Sequence, residues 1–125
     1  MPSDEADQEF DATPTSLAAI RRATVRAAEA AGLSSEQAQL LQIAVGEAAT
    51  NVVEHAYGGS DGRVRLRTYR QGPHFYAEVQ DGGQWRAGAA REMAGRGLVV
   101  MRGLVDRMDI IRTPSGTTIR LGMEF

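Results

Sequence analysis

Apolar residues recur at helical spacing through the first half of the chain and at alternate positions through the second, a pattern that predicts helices first and a sheet after them. Thr13 and Pro14 read as a capping residue and a first helical position, opening a helix that runs to about Ala31 and stops at Gly32. Leu17, Ile20, Thr24, Ala27 and Ala28 form its buried stripe. A second helix starts behind Ser34, which has Gln37 at capping-box spacing. It carries Leu41, Val45, Ala48, Ala49, Val52 and Ala56 on one arc, and Gly58-Gly59 terminates it. Its other arc holds Glu47, Asn51 and His55, spaced by four.

From Arg63 the period drops to two. RVRLRTYR at 63–70 places Val64, Leu66 and Thr68 on one face and Arg63, Arg65 and Arg67 on the other, and FYAEVQ at 75–80 turns Phe75, Ala77 and Val79 inward. Gln71-Gly72-Pro73-His74 is the hairpin turn between them. Residues 81–96, rich in glycine and alanine and without a clean period, read as a loop. A short apolar helix, LVVMRGLVD, follows Gly97 and ends near Asp106. Strands at about 107–112 and 117–124 flank the turn Thr113-Pro114-Ser115-Gly116. Residues 1–12, with five acidic side chains, read as an acidic flexible tail with room for a short strand near Phe10. The expected fold class is α+β, a two-layer α/β sandwich with helices packed on one face of a mainly antiparallel mixed sheet, as a single domain over 13–125.

Composition narrows the function. At 125 residues, 42% hydrophobic and 24% charged, with a net charge of -2, the chain belongs with soluble globular domains. A sequence pI of about 5.7 argues against direct nucleic-acid binding through phosphate contacts. The absence of cysteine removes disulfides, thiol catalysis and cysteine metal sites, and His55 and His74 are too few for a multi-histidine site. All 14 basic residues are arginine, so mechanisms that need lysine, including the Walker-type phosphate loop, are excluded. No apolar run approaches the roughly 20 residues of a membrane span, and the N-terminus lacks a signal pattern, which makes a cytoplasmic location the expectation.

Three segments carry polar or glycine positions that a bare scaffold does not require. In the stripe Glu47, Asn51, His55, the asparagine oxygen is a hard neutral ligand suited to Mg²⁺, and a carboxylate one turn away can orient or deprotonate an attacking hydroxyl. A solvated helix face would use the same residues. In VQDGGQW at 79–85, Asp81 can accept a hydrogen bond from an exocyclic amine, and glycine lets backbone approach a ligand, although Asp-Gly is also an ordinary turn. In GRGLVVM at 95–101, Gly95 and Gly97 precede a helix whose first N–H groups can meet phosphate. Together, in this order, they supply the contacts that Mg²⁺ and ATP need.

EAATNVVEHAY, DGG, GRGL with the following LVD, and the late GTTIRL together resemble the ATP-binding domain of the GHKL superfamily, most closely the small bacterial anti-sigma factor serine kinases. The resemblance spans about Thr13 to Phe125. It implies that Glu47 is the general base acting on a serine hydroxyl and that Asn51 holds Mg²⁺. It further implies that His55 lines the nucleotide pocket, that Asp81 reads the adenine amine with Thr117 beside it, and that Gly83 supports that loop. Gly95, Arg96 and Gly97 would contact the nucleotide's phosphates, and Leu98 would be a further nucleotide-binding position. The implied partners are a sigma factor and a STAS-domain anti-anti-sigma protein, with the chain acting as a homodimer. The sequence departs from the Asp-x-Gly-x-Gly pattern at Trp85, and the segment between Gly83 and Gly97 is short for a lid. A non-catalytic ATP-binding partner-switching module remains an alternative. The catalytic half of a histidine kinase is a weaker one, since no phosphoacceptor helix precedes the asparagine segment.

Overall fold

The computed structural model describes residues 3–58, 61–83 and 97–125. Five strands form one sheet in the order β1-β2-β3-β5-β4: β1 (Ser3–Asp11), β2 (Arg63–Gln71), β3 (His74–Asp81), β4 (Arg107–Thr113) and β5 (Gly116–Glu124). Every pairing is antiparallel. Helices α1 (Leu17–Ala31), α2 (Ser35–Asn51) and α3 (Leu98–Leu104) make the second layer of an α+β sandwich.

The helix boundaries follow local chemistry. Pro14 opens a short 3-10 turn, Pro14–Ser16, that leads into α1. At the other end Gly32, at φ +108°, takes the left-handed conformation in which a side chain would be strained, and the Leu33 N–H closes back on the Ala28 carbonyl at 3.0 Å. The Ser34 hydroxyl accepts the Gln37 N–H and the Gln37 side chain accepts the Ser34 N–H, each at 3.1 Å, so the capping box satisfies two donors at the start of α2. Gln37 Nε2 also donates to the Glu124 carbonyl at 2.6 Å, tying that start to the end of β5.

The core lies between the layers. Val64 and Leu66 of β2, Phe75, Ala77 and Val79 of β3, and Ile119 and Leu121 of β5 pack with Ile20, Leu41, Val45, Ala48, Ala49, Val52 and Met101. Every residue of the expected apolar arc of α2 is buried, whereas Leu17 and Ala27 of α1 are only partly so. Thr24, in the same helix, hides its hydroxyl by donating to the Ile20 carbonyl at 2.9 Å.

The structure corrects two expectations. Residues 3–11, read as a flexible acidic tail, form β1 on β2, with Glu9 opposite Arg65 and Asp11 opposite Arg63. Its acidic side chains stand at the spacing of the arginines: Asp7 binds Arg65, Glu5 binds Arg67 at 2.8 Å, and Asp11 reaches Arg63 at 3.3 Å. The backbone of an edge strand also needs partners, and β1 supplies them to β2. Secondly, α2 is regular only to Asn51, beyond which Val52–Ala56 continue as a π-helical turn. Such turns are local insertions that cluster at functional positions.

Candidate functional site

Helix α2 is central in its layer and packs against α1, α3, β3 and β5. Its polar arc is therefore not a wet face. Glu47 is half-buried, Asn51 is 9% exposed, and the His55 side chain is 13% exposed, with Nε2 3.6 Å from Glu54 Oε2. The Asn51 amide nitrogen is buried and has no hydrogen-bond partner among the described residues. An orphaned buried amide costs about 1–3 kcal/mol, which a bound acceptor would recover. Its position fits a ligand site better than a scaffold.

The second element is the end of β3. Asp81, 8% exposed, pairs with Thr117 of β5, also 8% exposed, so the two residues expected to read one base stand side by side on neighbouring strands. The Asp81 carboxylate accepts the Gly83 N–H at 3.0 Å, which turns the chain and orients the acid.

Glycine is required around this turn for reasons of space. A Cβ on Gly83 would lie 1.9 Å from the Ala56 carbonyl oxygen, and one on Gly116 would lie 1.8 Å from the Asp81 carbonyl oxygen. Gly116 also has φ +142°, which side chains rarely adopt. The Asp81–Gly83 turn is thus pressed against the π turn on one side and against the β4–β5 turn on the other. The polar arc of α2 and the Asp81–Gly83 turn belong to one packed unit. Ala56 and Gly116 bear no polar side chain that would mark them as part of a site in the sequence. The serine-glycine turn was legible, but its contact with Asp81 is between residues far apart in the chain.

The third element is partly in view. Gly97 is buried and already helical, at φ -60° and ψ -43°, and Leu98, at the start of α3, is packed against the core. Helix α3 ends at Leu104, shorter than the expected limit near Asp106, because Val105 is extended. Gly95, Arg96 and Trp85 lie outside the described residues. Among the described residues no group of three His, Asp or Glu could hold a metal ion by itself. A divalent ion held by the Asn51 oxygen would need phosphate oxygens to complete its shell, as Mg²⁺ commonly does. A groove of about 470 Å³ lined by Arg21, Arg22, Arg26 and Gln42 contains none of the expected site residues.

Over residues 10–123 the chain matches the histidine kinase-like ATPase domain. It belongs to that family. Its fold is similar to that of the RsbU and RsbW domains of Rv1364c from Mycobacterium tuberculosis, with a TM-score of 0.74 and 24% identity over 95% of this chain. The chain spans 32% of the length of that structure. No curated protein matches it. Family membership gives the polar arc a context: Asn51, Asp81 and Thr117 offer buried polar groups suited to a nucleotide, and Gly83 and Gly116 keep the backbone beside them free of side chains. No helix among the described residues is long and apolar enough to cross a membrane.

Proposed function

We propose that this protein is an ATP-dependent protein-serine kinase of the anti-sigma factor type, which sequesters a sigma factor and phosphorylates a serine of a STAS-domain anti-anti-sigma protein. The observation that carries the reading is the buried amide nitrogen of Asn51, without a hydrogen-bond partner among the described residues, four residues from half-buried Glu47 in a chain of the histidine kinase-like ATPase family.

In this reading Asp81 accepts a hydrogen bond from the adenine amine and Thr117 supports it from β5. Asn51 would hold Mg²⁺ through its side-chain oxygen, His55 lines the pocket, Gly95, Arg96 and Gly97 serve the phosphates, and Leu98 is a further nucleotide-binding position. Bound Mg²⁺ would neutralise charge that develops on the transferring phosphoryl group. Glu47 takes the proton of the attacking serine hydroxyl while the serine oxygen bonds to the γ-phosphorus and the bond to the ADP oxygen breaks. Partial burial suits Glu47 to that role by keeping bulk water from competing for the hydroxyl. The chain acts in the cytoplasm, as a homodimer.

The test is transfer of labelled γ-phosphate from ATP to a STAS-domain protein. Glu47→Ala is expected to abolish transfer while calorimetry still shows ATP binding. Binding by the intact protein without transfer to any STAS partner would instead support a non-catalytic partner-switching module.

A further inference from the structure

Tyr57 immediately follows the π turn and is half-buried. Its hydroxyl is used twice: it accepts the Gly82 N–H at 2.9 Å and donates to the Arg63 carbonyl at 2.5 Å. Its ring lies on Gly62, where a Cβ would come within 2.3 Å of it. One side chain thereby bridges the end of the α2 unit, the start of β2 and the middle residue of the Asp81–Gly83 turn. Ala56, its neighbour, presses on Gly83. The turn is therefore held from the α2 unit at two successive points, and of these two the Tyr57 contact is made through a side chain that can be edited without disturbing the backbone.

We propose that Tyr57 is a positioning residue for base recognition: by holding the Gly82 N–H it fixes the Asp81 carboxylate where it meets the exocyclic amine of adenine. Tyr57 touches no nucleotide and acts through Asp81. The inference rests on the nucleotide-binding reading above. Without the hydroxyl, the Gly82 N–H turns to water, the turn gains freedom, and Asp81 samples positions that no longer meet the amine.

The experiment compares wild type, Tyr57→Phe, Asp81→Asn and the double variant by calorimetry with ATP and with purine riboside triphosphate, which lacks the exocyclic amine. Wild type should prefer ATP. Tyr57→Phe should weaken ATP binding about fivefold to tenfold, the loss of one hydrogen bond, while leaving the amine-free nucleotide unchanged. In the Asp81→Asn background the same change should cost nothing further. Melting curves of all four proteins establish that each is folded. Equal weakening for both nucleotides, or an undiminished effect in the Asp81→Asn background, would reduce Tyr57 to a structural tie and overturn the proposal. If wild type binds neither nucleotide, the parent reading falls and this one with it, whereas wild-type preference for ATP that Tyr57→Phe retains in full overturns the Tyr57 proposal alone.

Discussion

Gly83 sits directly on the carbonyl of Ala56, so close that a methyl group at position 83 would lie 1.9 Å from that oxygen. The contact joins the Asp81–Gly83 turn to the helix that carries Glu47 and Asn51. Because the obstacle is backbone, the added carbon of Gly83→Ala can be accommodated only by moving the turn. The variant should lose about 1–3 kcal/mol of stability by overpacking, and at least tenfold in ATP affinity. Denaturant melts and calorimetry on one preparation check both outcomes.

Asn51 should show the opposite balance. Its buried amide nitrogen has no partner among the described residues, so Asn51→Ala removes an unfavourable burial together with a little packing. Stability should stay within about 1 kcal/mol of wild type. Mg²⁺-dependent ATP binding should fall tenfold or more, and a titration with and without Mg²⁺ should give the same weak affinity.

Thr68, on the inward face of β2, also buries a hydroxyl without a partner among the described residues, and it belongs to none of the three site segments. Valine has nearly the same shape and no hydroxyl to desolvate. Thr68→Val should therefore raise stability by about 1 kcal/mol and leave ATP affinity untouched.

On the face of the sheet away from the helices, Tyr69 donates to the Glu78 carboxylate, and Arg67 lies 3.8 Å from that same carboxylate. Burial, reinforced by the bond to Glu78, pushes the Tyr69 hydroxyl up from 10.0 to about 12. A raised folded value means that the neutral form is the stabilising one. The contribution is complete below the unfolded value of 10.0 and is lost as pH rises through about 12. Tyrosinate absorbance should show a late-ionising component that Tyr69→Phe removes, and the variant should lose less stability than wild type across that window.

Deleting residues 1–11 would be harmless if they were a tail. As β1 they cover the edge of β2, place Phe10 against the core and pair with Arg63, Arg65 and Arg67. The truncated chain should lose about 1–2 kcal/mol from Phe10 alone and associate through the bared β2 edge. The exposed ion pairs add little, so high salt should change the wild-type melting temperature only slightly. Melting and size-exclusion profiles at two protein concentrations decide the matter.

What the sequence determined by itself is what one or two turns of chain can enforce. The capping box of Ser34 and Gln37, the left-handed stop at Gly32, the apolar arc of α2 and the alternation of β2 all arise from neighbours within a few residues, and each appears in the structure, whereas β3 is buried on both faces. Contacts between distant segments were decided only by the fold. Residues 3–11 became a strand because the β2 edge, some sixty positions away, offers their backbone partners and Phe10 a place against the core, with arginines at matching spacing beside the acids. The polar arc of α2 left water because α1, α3 and the sheet pack around that helix, and no periodicity distinguishes a wet arc from one buried beside a ligand. Tyr57 and Gly116 joined the Asp81 turn for the same reason. Hydrogen bonds and sub-van der Waals gaps depend on where backbone returns in space, and a linear pattern of apolar and polar residues carries no term for that.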